Sequence, residues 1–482
     1  MRGDHHIRRH GRPIVLAAAL GLLGASVAGA TGWPVASAQS GPELAGPRET
    51  PEIPVRSVPL RGGGAHDGVE PPVRPARCDK DIDTTTTLRG VAFVNAQDNQ
   101  ICTSADLDTY RIGSRTFVVQ AGGEEAAFII TDVTNPASPI RVGPFTWARR
   151  GAKGTYTPDV KAFSQTVDGM TRQYVALSLE RLRLNGFCGV VVLDVTTATP
   201  VFETQIYKNT PSDFWCDVHN SFVEDVGGEG RYLYATADAR NDMRVIDLAN
   251  VADFPATCDI ATNCAAKETG RYKAPTAVDA DNYVHDVTVI DHGGETGRRV
   301  YVSYWDTGLV ILNAADVTPG TSPTPIVTID PTDFLTHHAF ASADGRYAFL
   351  QDELLDQPGD APVQMWQVDP RMRVDSLVLG TDVPANPAHN LEIRFDLAPN
   401  RLYVGWYKLG LQAWDFGTAG FSRTTGTPGR TAAQYHQVQT EARDDPYDGA
   451  WGIRIEDIGG CRHFFQSDRR YGLIIDRDAA CA

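Results

Sequence analysis

Seven times along this chain of 482 residues a short apolar run closes on an acid or its amide. The runs are Ala126–Asp132, Gly189–Asp194, Asp242–Asp247, Gly308–Asn313, Val363–Asp369, Gly410–Asp415 and Gly472–Asp476. Their closing residues stand 62, 53, 66, 56, 46 and 61 positions apart. A unit repeated at such an interval cannot bury its apolar face alone, so successive units must stack into one continuous core. That requirement excludes most folds before any local reading begins.

The surroundings of each run repeat as well. In the third unit Val218–Val223 comes first, the Tyr-rich Arg231–Ala235 second, and the acid-terminated run third. In the first unit a fourth segment, Ser138–Gly143, follows a proline turn. From Leu88 to Asp478 short alternating runs are separated by turn signals such as Asn135-Pro136, Asp344-Gly345 and Pro399-Asn400, with no helical periodicity of normal length. Four antiparallel strands per unit make a blade, and seven blades close a ring with few free edges. The sequence therefore predicts an all-β, seven-bladed β-propeller over residues 78–482. Six residues follow Asp476, so the seventh blade is expected to borrow a strand from the N-terminal side. Cys78 and Cys481 are placed to staple that closure, and Cys461 with Cys481 is the competing pair.

These runs resemble the LVIVD-repeat proteins, including their exported subgroup with a choice-of-anchor label. Gly308-Leu309-Val310-Ile311-Leu312-Asn313 and Phe128-Ile129-Ile130-Thr131-Asp132-Val133-Thr134-Asn135-Pro136 match the signature strand. His337-His338 through Asp344-Gly345-Arg346-Tyr347 to Asp352-Glu353, and Gly449-Ala450-Trp451-Gly452, are similar to that subgroup. Met365-Trp366-Gln367-Val368-Asp369 departs from the signature. The resemblance covers residues 88–478. It implies a propeller outside the cytoplasm and supplies no catalytic set.

The N-terminal 38 residues read as a signal peptide. Arg2, Arg8, Arg9 and Arg12 precede an apolar stretch from Ile14 to Ala30, and Ala36-Ser37-Ala38 is a small-residue cleavage site. Residues 39–77, rich in Pro, Gly and charge, read as a disordered leader. Four Arg and one Asp leave with the signal, moving the formal charge from −16 to about −19, a surface that repels phosphate backbones and argues against nucleic acid as a partner. The mature form is expected to be exported, not membrane-spanning, and a monomer. All eight Cys (Cys78, Cys102, Cys188, Cys216, Cys258, Cys264, Cys461, Cys481) follow the cleavage site. An even count in an exported chain predicts disulfides, with Cys258 and Cys264 pairing across their short loop.

Aligning the first strands of the units exposes one column. Asp159, His219, His285, His337, His389 and Trp451 occupy it in units two to seven, and Asn220, Asp286, His338, Asn390 and Gly452 follow from unit three on. Five of the chain's 12 His fall in these two columns. In a propeller the first strand is innermost, so equivalent positions converge on the axis. Converging neutral imidazoles suit Cu, Fe or Zn ions, with neighbouring Asp, Asn and His as acceptors that fix ring orientation. The competing reading is structural: duplicated His residues hydrogen-bond the strands of their own blades.

Weaker candidates are an acidic rim of Asp238, Asp306 and Asp352-Glu353, and a calcium-like alternation in Cys78-Asp79-Lys80-Asp81-Ile82-Asp83 that lacks the Gly and distant Glu of such a loop. Trp305, Trp406 and Tyr407 are expected to pack between blades, with a Trp at the channel mouth facing a ligand as the alternative. No nucleophile elbow, phosphate loop, dinucleotide fingerprint or His-Glu-x-x-His occurs. Three functions stand: a binding platform for a protein or small-molecule ligand on its channel face, a copper- or iron-dependent extracellular oxidoreductase, and a structural cell-envelope protein.

Overall fold

The computed structural model describes residues 93–95 and 104–478, except 124–126, 143–144, 147–154, 182–187, 198, 211–213, 238–240, 276–282, 319–322, 333, 355–359, 378–386, 408–409, 424–448 and 470–471. The signal peptide, the leader, the calcium-like segment and Asp238 lie outside the described residues.

Each acid-terminated run is the third strand of a four-stranded antiparallel blade, and there are seven blades. The third blade runs Val218–Asp225, Gly230–Ala237, Asp242–Asp247 and Glu268–Tyr272 from axis to rim. The closing acid has a local cause. Asp132, Asp194, Asp247 and Asn313 each accept the backbone N–H two residues on, which turns the chain out of the strand. Asp132, Asp194, Asp247 and Asp415 also face an Arg at the start of the second strand: Arg115, Arg172, Arg231 and Arg401. The fifth run ends early, as strand Val363–Gln367, leaving Asp369 in a turn. The leading Gly has a cause too. At Gly189 (φ 82°) and Gly308 (φ 84°) a Cβ would stand 2.1 and 2.2 Å from a carbonyl oxygen of the outer strand.

The core lies between neighbouring blades. Tyr234, Met243 and Val245 of blade three pack on Val287, Val289, Val300 and Val302 of blade four. Each such side chain, when fully buried, contributes about 1.5–3 kcal/mol. The ring closes as expected: Phe93–Asn95 pairs antiparallel with Gly472–Arg477 as the outer strand of blade seven. Blade two is enlarged, because its strand Val201–Asn209 also pairs with Phe214–Trp215 and, in parallel, with Thr257–Asp259.

Cys258 and Cys264 form the expected disulfide, and Cys188 pairs with Cys216, tying the third strand of blade two to the segment that leads into His219. Cys461 is also disulfide-bonded. Cys78, Cys102 and Cys481 lie outside the described residues.

Candidate metal centre

A bulge repeated in five blades builds the site. Val218 opposes Ala237 and Ser221 opposes Ala235, so His219 and Asn220 share the single residue Thr236. The same two-against-one register recurs at His285, His337, His389 and Trp451. An extra residue in a strand re-aims its side chain, and here it does so five times in sequence around the axis. Blade two carries the same slip: Tyr156 opposes Glu180 and Asp159 opposes Ser178, so Thr157 and Pro158 share Leu179 and no imidazole occupies the bulge. Register therefore sets Asp159 past the bulge, in the layer of Asn220, Asp286 and His338 and away from the imidazoles with which the sequence aligns it.

The upper layer is an arc of rings. Centroids are 4.4 Å apart from His219 to His285, 4.0 Å from His285 to His337, 4.5 Å from His337 to His389 and 4.1 Å from His389 to Trp451. All five side chains are buried. Glu353, at the end of the second strand of blade five, reaches into the arc. Its oxygens lie 3.4 Å from Nε2 of His337 and 3.9 Å from Nε2 of His389, and it accepts a hydrogen bond from the Tyr407 hydroxyl. Ligand atoms of His285, His337 and Glu353 all lie within 4.8 Å of one another, close enough to share one ion. Tyr283, stacked on Trp305 at 5.1 Å, and Tyr407 line the arc's flank.

Nδ1 of three of these imidazoles faces an acceptor. His219 is held by the Glu180 carboxylate, His337 by Oε1 of Gln351 at 2.6 Å, and His389 by the Trp451 carbonyl at 3.1 Å. The amide of Gln351 donates to the Ala388 carbonyl, which fixes its oxygen toward His337. Acceptor-only partners place a proton on Nδ1, so that in a neutral ring Nε2 carries the lone pair. Burial, reinforced by the neighbouring His337 and Arg469, holds His389 well below the ordinary imidazole range, so that ring is neutral.

The second layer is a polar ring. Asn390 donates to Asp106, and Lys161 spans Asp106 and Asp159. Asp159 accepts from Ser221, and Asn220 donates to Asp286, whose carboxylate lies 4.0 Å from His338. Gly452 leaves room here, since a Cβ would stand 2.3 Å from Oδ1 of Asp106. Burial alone would raise Asp159, but the charge of Lys161 and hydrogen bonds hold it low. Burial raises Asp286 to about 7 and lowers His338 to about 3.

The sequence columns are thus brought together, in two layers. Glu353, Glu180, Gln351, Lys161 and Asp106 belong to the site although no column of the repeat marks them. Glu353 is no rim acid: it is buried in the arc, and its neighbour Asp352 instead caps the backbone of Leu335 and Leu354. Asp306 is an exposed turn acid. Trp406 packs between blades five and six as expected, whereas Trp305 and Tyr407 face the arc.

No protein-family model matches the chain, and neither does any curated protein. Many solved structures are similar in shape, two of them as follows. One is Raptor of Chaetomium thermophilum, at 9% identity and TM-score 0.47, covering 78% of this chain and 28% of that one. The other is a chain of the mitotic checkpoint complex, at 13% identity and TM-score 0.48, covering 84% and 98%. The chain therefore spans little more than a quarter of Raptor. Neither likeness bears on chemistry. Among the described residues no helix is long and apolar enough to cross a membrane.

Proposed function

We propose that this propeller is an exported binding platform of the LVIVD-repeat type whose axial mouth holds a transition-metal ion on His285, His337 and Glu353, with His219 and His389 beside it. One observation carries the metal. The Nε2 atoms of His337 and His389 face the same carboxylate at 3.4 and 3.9 Å, and in the neutral Nδ1–H tautomers both are lone pairs. Lone pairs opposed to a carboxylate in a buried site repel unless a proton or a metal ion lies between them. A metal ion meets that need, and orienting acceptors on Nδ1 are the usual second partners of ligating imidazoles. The leader sequence and two internal disulfides support maturation in an oxidising compartment.

The test is elemental analysis of protein made in an export-competent host and purified without a His tag. One transition ion per chain is expected. His285→Ala combined with His337→Ala should remove it while the folded transition persists. Metal-free wild type that cannot be loaded with Zn, Cu or Fe, together with a destabilised double variant, would make the imidazoles scaffold instead.

A further inference from the structure

We infer that the ion at this centre is ferrous iron with coordination positions open to a diatomic ligand of the dioxygen class, an inference that rests on the metal reading above. Two imidazoles and one carboxylate form the converging set. Two-His, one-carboxylate donors with open positions are unlike the soft sites of Cu(I) and closed structural zinc and suit ferrous iron or open catalytic zinc, of which ferrous iron is the one that binds a diatomic ligand. Adjacent donors about 2.1 Å from one ion stand about 3 Å apart, so atoms within 4.8 Å of one another must still close inward around it.

The surroundings select the ligand's size and polarity. His285 and His337 are wholly buried and Glu353 nearly so. The flank is aromatic: Tyr283, Trp305, Tyr407 and Trp451, all 4% exposed or less. An enclosure of that kind disfavours bulky or charged ligands and suits a small neutral molecule that binds the metal directly. The Tyr407 hydroxyl on Glu353 positions the carboxylate.

The probe is nitric oxide, a stable stand-in for dioxygen. Wild-type protein stripped of metal is loaded anaerobically with Fe(II), its iron content measured after gel filtration, and nitric oxide added. The quartet-spin paramagnetic resonance signal of a non-haem ferrous nitrosyl is expected, at one per chain. His337→Ala and Glu353→Ala should lose iron and signal together, with circular dichroism reporting that both remain folded. Should either fail to fold, His285→Asn serves as the second variant. Iron bound without the quartet signal means a closed site, and this inference fails while the metal reading stands. It fails in the same way if the protein takes only Zn(II) or Cu(II). If it takes no ion, both readings fall.

Discussion

At the scale of single residues the imidazoles are legible in the sequence and their partners are not. His219, His285, His337 and His389 recur at one position of a repeat, and rarity makes the column visible. Gln351, Glu180 and Glu353 sit on second strands, where no repeated residue type marks them, and only the fold brings them to the axis. Their roles are testable separately from the ligands. Gln351→Leu removes the acceptor for Nδ1 of His337 and frees the ring to turn over. Metal affinity should drop about 10–100-fold, the usual cost of losing an orienting partner, read by competition with a chelator, alongside a stability loss of about 1–3 kcal/mol from the orphaned Ala388 carbonyl. A second residue-scale prediction concerns Glu392, buried beside Arg454, which divides its charge with Asp108. Burial pushes Glu392 up to about 7 against that partial compensation. A carboxyl whose folded pKa is raised contributes stability that is present below its unfolded value, about 4.3, and is lost as pH rises through the folded one. Glu392→Gln should therefore flatten the fall in melting temperature between about pH 4 and 7, and an unchanged slope would count against it.

Elements are legible where the pattern is periodic and less so where it slips. All seven third strands are visible, because a buried apolar run with a capping acid needs no long-range information. The bulge is not, since one extra residue leaves no compositional trace. That is why the sequence sets Asp159 beside His219, although the bulge of blade two lies earlier, at Thr157-Pro158, and Asp159 stands opposite Ser178. The bulge makes two layers from consecutive residues, imidazoles above and a polar ring below, and the lower layer depends on Gly452. Gly452→Ala would push a Cβ to 2.3 Å from Oδ1 of Asp106 and 2.7 Å from the Leu107 backbone nitrogen. Backbone must give way, and overpacking of this kind costs about 1–3 kcal/mol. Denaturant unfolding should show that loss, whereas Gly417→Ala, with nothing near its Cβ, should show much less.

For the whole molecule, blade seven takes its outer strand from the N-terminal side of the ring. Which residues supply it is not legible, because Phe93–Asn95 is too short to stand out. The pairing of Phe93, Val94 and Asn95 with Ile474, Leu473 and Gly472 ties the two ends of the ring, so its value exceeds its length. Without it Gly472–Arg477 becomes an open edge, ready to pair with another chain. Removing residues 1–77 should leave the melting temperature in place, whereas removing 1–95 should lower it. The lost ladder is worth a few kcal/mol at about 0.5–1.5 kcal/mol for each hydrogen bond. The longer truncation should also associate on a sizing column, because an uncovered strand edge finds partners. If both truncations melt alike and remain monomeric, closure comes instead from the packing of Leu107 and Val118 on Phe465, Leu473 and Ile475 across the seam, and the terminal strand is an ornament of the ring.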